Sequence, residues 1–187
     1  YLHPVDDAEV EVFETGISNM SGLCISQDGT FLWGISDSEG LFKFDLQGNV
    51  IGQVFGGGRD FEGVAVDKAT GDVYLVEETK PDGNIATNSN SLFKLNPDTN
   101  EPEFICTIAE AGKTVNKGLE GITVVGNEIW LANQEDPTDI YRYDKVQGKV
   151  VGQLSITDAR FLSDIYHDPT DDVVWCTDSK KAEIFKF

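Results

Sequence analysis

The sequence predicts an all-β chain, a β-propeller of four-stranded antiparallel blades, and three observations predict it. One plan of short strands and polar turns occurs four times in the same order; the copies are spaced as blades are; and helix-forming stretches are scarce, the longest being Ala109 to Lys113. A β-sandwich also contains strands and turns, but it does not repeat four copies of one plan.

Each copy begins with a small-residue turn into an apolar strand. A polar turn follows, then a strand with an aromatic or Val-Trp centre, an acidic end, and an aromatic-basic strand. The first copy runs Ser21-Gly22-Leu23, Asp28-Gly29, Phe31-Leu32-Trp33, Ser36-Asp37 and Leu41-Phe42-Lys43-Phe44. In the second these become Glu62-Gly63-Val64, Thr70-Gly71-Asp72, Val73-Tyr74-Leu75, Glu77-Glu78 and Leu92-Phe93-Lys94-Leu95. The third has Glu120-Gly121-Ile122, Gly126-Asn127, Ile129-Trp130-Leu131, Asn133-Gln134 and Ile140-Tyr141-Arg142-Tyr143. The fourth has Ser163-Asp164-Ile165, Asp168-Pro169-Thr170, Val173-Val174-Trp175, Thr177-Asp178 and Ile184-Phe185-Lys186-Phe187. Gly22, Gly63, Gly121 and Asp164 stand 41, 58 and 43 residues apart, against about 40 to 50 for a propeller blade. Insertions at Thr79 to Asn90 and Ala109 to Gly118 account for the long middle interval. The Asp-Gly, Gly-Asn and Asp-Pro pairs sit where hairpin turns need them.

An outer strand follows in Gly48 to Val54 and again, in nearly the same words, in Gly148 to Leu154. The fourth copy reaches Phe187 without one, whereas Glu9 to Phe13 is an orphan alternating strand. Residues 1–187 therefore read as a single propeller domain. Either the N-terminal strand completes the last blade, which leaves no free edge, or a further C-terminal blade is missing. The start at Tyr1, without an initiator Met or a signal-peptide pattern, suggests a processed or truncated product or a portion of something longer.

Charge narrows the function classes. Thirty-three acids against fourteen Lys and Arg give a formal charge of −19. Such a surface repels polyphosphate and anionic lipid, so a nucleic-acid or peripheral-membrane role is not expected. No apolar run approaches the about 20 residues that membrane insertion requires. Cys24, Cys106 and Cys176 each sit in a strand-like apolar run, the pattern of buried small hydrophobes and not of a disulfide framework.

Several of these motifs carry a resemblance. Ser21-Gly22-Leu23, Asp60-Phe61-Glu62-Gly63-Val64-Ala65, Val76-Glu77-Glu78 and Asn116-Lys117-Gly118-Leu119-Glu120-Gly121 fit, as do Ile35-Ser36-Asp37, Ser163-Asp164 and Cys176-Thr177-Asp178. On these residues the chain resembles the SdiA-regulated family, the YjiK-like bacterial propellers, over almost its whole length. The resemblance implies a five-bladed, extracytoplasmic propeller (periplasmic, cell-surface or secreted) with a calcium or small-ligand site near the central channel. The family's last blade has no counterpart after Phe187. A weaker resemblance extends to propellers with esterase-like, phytase-like or lactonase activity.

The residues themselves point to the channel. In a propeller the first strand of every blade runs along the axis, so Glu62 and Glu120 converge. Carboxylates brought together at low dielectric must be solvated, protonated, paired or bridged by a hard cation. This makes Glu62 and Glu120 the candidate metal ligands, with calcium the expected ion and Lys117 a possible counter-charge. Asp37, Glu78 (or Glu77), Gln134 and Asp178 close the second strands and form a candidate ligand-binding ring, joined by Lys117 and by Asp164 on the inner strand. Turn capping is the plainer role for such acids. No catalytic residue is assigned: neither Ser21 nor Ser163 has a nucleophile-elbow context, and His3 and His167 are too few for a triad or a zinc site. Trp33, Tyr74, Trp130 and Trp175 read as core between blades.

The expectation is thus a propeller that binds a divalent cation and a small ligand or partner at its channel. A metal-assisted hydrolase is the alternative, with Glu62 and Glu120 holding the ion and Lys117 stabilising developing negative charge. A non-catalytic interaction scaffold is the third reading.

Overall fold

The computed structural model describes residues 12–78, 90–111, 114 and 116–187. Among these, fifteen strands and no helix occur, so no helix is long and apolar enough to cross a membrane. Blade 1 comprises β1 (Met20–Ile25), β2 (Leu32–Ser36), β3 (Gly40–Phe44) and β4 (Val50–Gly56). Blade 2 comprises β5 (Phe61–Val66), β6 (Val73–Glu77), β7 (Ser91–Leu95) and β8 (Pro102–Thr107). Blade 3 holds β9 (Leu119–Val125), β10 (Glu128–Asn133), β11 (Asp139–Asp144) and β12 (Lys149–Ser155), and blade 4 holds β13 (Leu162–Asp168), β14 (Val173–Asp178) and β15 (Glu183–Lys186). Each blade is an antiparallel meander in chain order.

The first strands β1, β5, β9 and β13 lie side by side in that order, which makes the chain a four-blade propeller. Two devices in the repeated motif build this inner layer. One is a register shift in every inner strand. Met20 pairs with Ser36 and Gly22 with Ile35, which leaves Ser21 as the extra residue; Glu62, Glu120 and Ser163 are bulged in the same way. A bulge bends the strand and re-aims the side chain it carries. The second device is the glycine after the bulge. A β-carbon on Gly22 would stand 2.8 Å from the Glu62 carbonyl, one on Gly63 would stand 2.6 Å from the Glu120 carbonyl, and one on Gly121 would stand 2.7 Å from the Ile165 nitrogen. The backbones of neighbouring inner strands meet there because no side chain intervenes.

Three apolar cores fill the three seams. Trp33, Ile35, Leu41, Val64, Leu75 and Phe93 pack between blades 1 and 2. Tyr74, Val76, Leu119, Ile122, Leu131 and Tyr141 join blades 2 and 3. Blades 3 and 4 meet through Ala132, Ile140, Leu162, Ile165, Val174 and Cys176, with Trp130 packed against them. The recurring aromatic therefore seals the seam with the following blade. The basic residue of the third strand rides on it: Lys43 lies 4.7 Å from the Trp33 ring, Arg142 5.3 Å from Trp130 and Lys186 5.1 Å from Trp175. All three cysteines are free, Cys176 fully buried and the other two half-buried.

Trp175 departs from its equivalents. It belongs to none of the three cores and is half-buried, and no packing comparable to the other seams joins β13 to β1 among the described residues. Truncation should report this difference. Trp33→Ala is expected to cost about 3–5 kcal/mol in a urea titration, and Trp175→Ala only about 1 kcal/mol. Equal losses would show that the fourth aromatic is also sealed.

Of the orphan N-terminal strand, residues 9–11 lie outside the described residues, as do His3 and positions 79–89 of the first insertion. Val12 and Phe13 are not in a strand. The chain instead enters along blade 1, where the Ser36 hydroxyl donates to the Ser18 carbonyl at 2.9 Å and the Glu39 carboxylate accepts from the Ser18 N–H at 2.8 Å.

Candidate metal centre at the channel mouth

The bulges aim Ser21, Glu62, Glu120 and Ser163 at one end of the channel, and the residues that follow the second strands meet them there. Asp37 follows β2, Asp60 precedes β5 and Glu62 is the β5 bulge. One carboxylate oxygen from each of the three lies within 4.8 Å of the others. Asp37 Oδ1 is buried and has no hydrogen-bond donor among the described residues. Three acids in so small a half-buried space repel, and they favour either protonation or a cation.

The second seam repeats the arrangement with different partners. Glu78 occupies the place of Asp37, and Gly118 that of Asp60. The Gly118 N–H donates to Glu78 at 2.6 Å, so a backbone donor stands where the first seam has a third acid. Glu120 accepts from Gln134 Nε2 at 2.5 Å, which leaves Gln134 Oε1 buried without a donor among the described residues. In blade 4 the same two positions are serines, with the Ser163 hydroxyl 2.6 Å from that of Ser179. The acids thus crowd the side of the mouth built by blades 1 to 3, and hydroxyls occupy the blade 4 side.

Burial and mutual repulsion raise the pKa values of the glutamates in this group. Desolvation pushes Glu62 up to about 7, against the Ser21 hydroxyl, which lowers it, and with Asp60 and Asp37 raising it further. Desolvation likewise takes Glu78 to about 7, opposed by the Gly118 N–H and aided by Glu62 and Asp60. Glu120 rises to about 8 through desolvation and the charges of Glu62 and Glu78, with Gln134 pulling the other way. Carboxyls raised in this way lose their protons more readily when a cation neutralises the cluster.

The remaining sequence candidates sit elsewhere. Lys117 is not paired with Glu62 or Glu120; it pairs with Glu135, and this contact raises its pKa. Asp178 is aligned with Ser36, Glu77 and Asn133, one residue out of step with Asp37. It is buried and accepts the N–H groups of Arg160 at 2.6 Å and of Lys180 and Lys181 at 3.0 Å each, the turn-capping role. Asp164 occupies the glycine position and lines the channel wall below the mouth. His167 contacts Asp172 at 3.0 Å near the opposite end. Asp60 was not singled out from sequence, although it stands two residues before the bulged Glu62 in the Asp-Phe-Glu-Gly motif.

The donor set Asp37, Asp60 and Glu62 is all oxygen and anionic, which suits calcium, magnesium or manganese and does not suit zinc or copper. A hard cation there would neutralise the cluster and give Asp37 Oδ1 the partner it lacks.

No curated protein matches the chain. Among solved structures it is similar to a structural genomics protein of unknown function from Bacteroides thetaiotaomicron VPI-5482 at 12% identity, with a TM-score of 0.62, over 90% of this chain and 41% of that one. It is also similar to a chain of the nidogen/laminin complex (13% identity, TM-score 0.57, 86% of this chain and 57% of that one). A third likeness is to the computationally designed Ika4 protein, at 9% identity and a TM-score of 0.54, over 96% of this chain and 94% of that one. These likenesses concern the fold, and the chain spans less than two thirds of the first two structures. The sequence model of one family matches residues 5–179 by a description that agrees with the motifs: the chain belongs to the SdiA-regulated family.

Proposed function

We propose that the chain is an extracytoplasmic binding propeller that holds a hard divalent cation, calcium foremost, at the acidic mouth of its channel and receives a small ligand in the channel beside it. The observation that carries this reading is the triad Asp37, Asp60 and Glu62, whose carboxylate oxygens converge within 4.8 Å with no ammonium or guanidinium group bonded to Asp37 or Glu62 among the described residues. Glu78 and Glu120 would adjoin the ion and add to the negative potential that attracts it. An extracellular or periplasmic setting would supply calcium at the concentrations such an open site requires. The hydrolase alternative draws less support, because Lys117, its charge stabiliser, is engaged by Glu135.

Calorimetric calcium titration of chelator-stripped protein tests the proposal. Binding in the micromolar to millimolar range is expected, with a loss of about tenfold or more in Asp60→Asn/Glu62→Gln. Unchanged binding in that double variant would move the ion elsewhere, and no binding by the folded parent protein would leave the interaction scaffold as the better account.

A further inference from the structure

Below the acidic mouth lies a cleft of about 340 Å³ lined by all four inner strands, at the small end of the about 300–1,000 Å³ typical of ligand pockets. Its walls are mostly apolar: Leu23, Ile25, Val64, Ile122, Ile165 and Tyr166 all contribute, and Leu23 and Tyr166 are 60% and 55% exposed.

Asp164 makes this cleft a built feature. In the three packed seams a β-carbon at the glycine position would stand 2.6–2.8 Å from the backbone of the next inner strand. Blade 4 carries Asp164 at that position, with a β-carbon and a carboxylate. On the side of β13 away from β9, therefore, no inner strand could approach at the backbone contact that joins the other seams, and β1 is not packed on that side among the described residues. The same substitution sets an acid into an apolar wall. The other charged groups of the wall are already engaged. Asp67 is paired with Lys145 at 2.5 Å, Lys68 donates to the Ile25 and Ser26 carbonyls at 2.8 and 2.5 Å, and His167 contacts Asp172. The Asp164 carboxylate accepts the N–H of Ile165 at 2.8 Å. Asp164 is exposed to the cleft, and a cation whose remaining surface is apolar would match both the acid and the wall around it.

We infer that the cleft binds a small organic cation, a primary ammonium with an apolar tail, whose ammonium pairs with Asp164 while the tail lies against Leu23, Ile165 and Tyr166. This rests on the channel-ligand half of the proposed function and not on the metal half. The Asp164 pKa is raised by desolvation, which an ammonium partner would reverse.

The test compares hexylammonium chloride, hexan-1-ol and sodium hexanoate by nuclear magnetic resonance titration, reading the amides of Leu23, Ile165 and Tyr166. Hexylammonium should saturate these shifts and bind about tenfold or more tighter than the alcohol or the acid, the worth of one charge-assisted hydrogen bond. Asp164→Asn should erase that preference and leave calcium binding at the mouth intact. Asp164→Glu, which retains the charge, should keep the preference and serves if the amide variant does not fold. Equal binding of the three probes, or a preference that survives Asp164→Asn, overturns the inference. A preference lost in Asp60→Asn/Glu62→Gln but kept in Asp164→Asn also overturns it, by placing the ammonium at the acidic mouth.

Discussion

Gly63→Ala is expected to destabilise the protein by about 2–4 kcal/mol, more than its single added methyl group suggests. The added β-carbon would stand 2.6 Å from the Glu120 carbonyl, 2.9 Å from the Ile122 side chain and 3.0 Å from Val76. The nearest obstacle is backbone of the next blade's inner strand, which cannot rotate aside as a side-chain tip can. Relief requires blades 2 and 3 to separate, and that opens the core of Tyr74, Leu131 and Tyr141. Gly121→Ala should behave alike, with Ile165 nitrogen at 2.7 Å and Asp164 Cα at 2.8 Å. Gly52→Ala is the control, since a β-carbon there meets nothing within 4 Å; in a strand it should be neutral or mildly stabilising. Urea unfolding of the three variants decides the matter. If Gly63→Ala matches Gly52→Ala, the inner strands are not held at backbone contact and the account of the Glu-Gly motif fails.

That motif also shows what a reader of the sequence can and cannot see. Repetition at blade spacing is visible in the chain because every blade must solve the same packing problem, so the strands, the aromatic-basic pairs and the inner position of Glu62 and Glu120 were all legible. The bulges were not. A bulge skips one step of the strand alternation, and a reading that aligns strand ends by residue type then slips by one. This happened at Asp178, which shares its acid with Asp37 but its register with Ser36; a slip of one residue exchanges faces. Asp60 was hidden for another reason. It owes its role to a neighbour across a seam, Asp37 of the preceding blade, and separation in space leaves no periodic trace. The partner of Lys117 is hidden likewise, since its short distance to Glu120 along the chain says nothing of Glu135, with which it pairs. The openness beside blade 4 was signalled by Asp164 in a glycine column, a departure whose meaning depends on how near the strands come.

Between about pH 5 and pH 8 the cation-free protein should become less stable as pH rises, the reverse of the usual behaviour of an acidic protein on leaving the acid range. The ordinary carboxyl value of 4.5 applies to Glu62, Glu78 and Glu120 in the unfolded chain, whereas folding raises them to about 7, 7 and 8. In that interval the folded state binds more protons than the unfolded one, so raising the pH favours unfolding. The stability these groups contribute is complete below about pH 4.5 and is lost as pH climbs through the folded values. Acids held low by backbone and side-chain donors, Asp28, Asp45 and Asp144 among them, act in the opposite sense, but only at lower pH, where they begin to protonate. They cannot mask the slope above pH 5. A divalent cation in the cluster changes the linkage. It replaces the protons, so calcium affinity should rise with pH over the same interval, and saturating calcium should flatten the loss of stability. Thermal unfolding across this range, in chelator and in calcium, measures both effects at once. A flat or rising Tm in chelator would mean that the three glutamates ionise freely and that the mouth holds no frustrated charge. A falling Tm that calcium does not restore would place the ion away from the cluster. A fall reversed by calcium, and abolished in Asp60→Asn/Glu62→Gln, would tie the unfavourable charge of the folded mouth to the ion that the charge recruits.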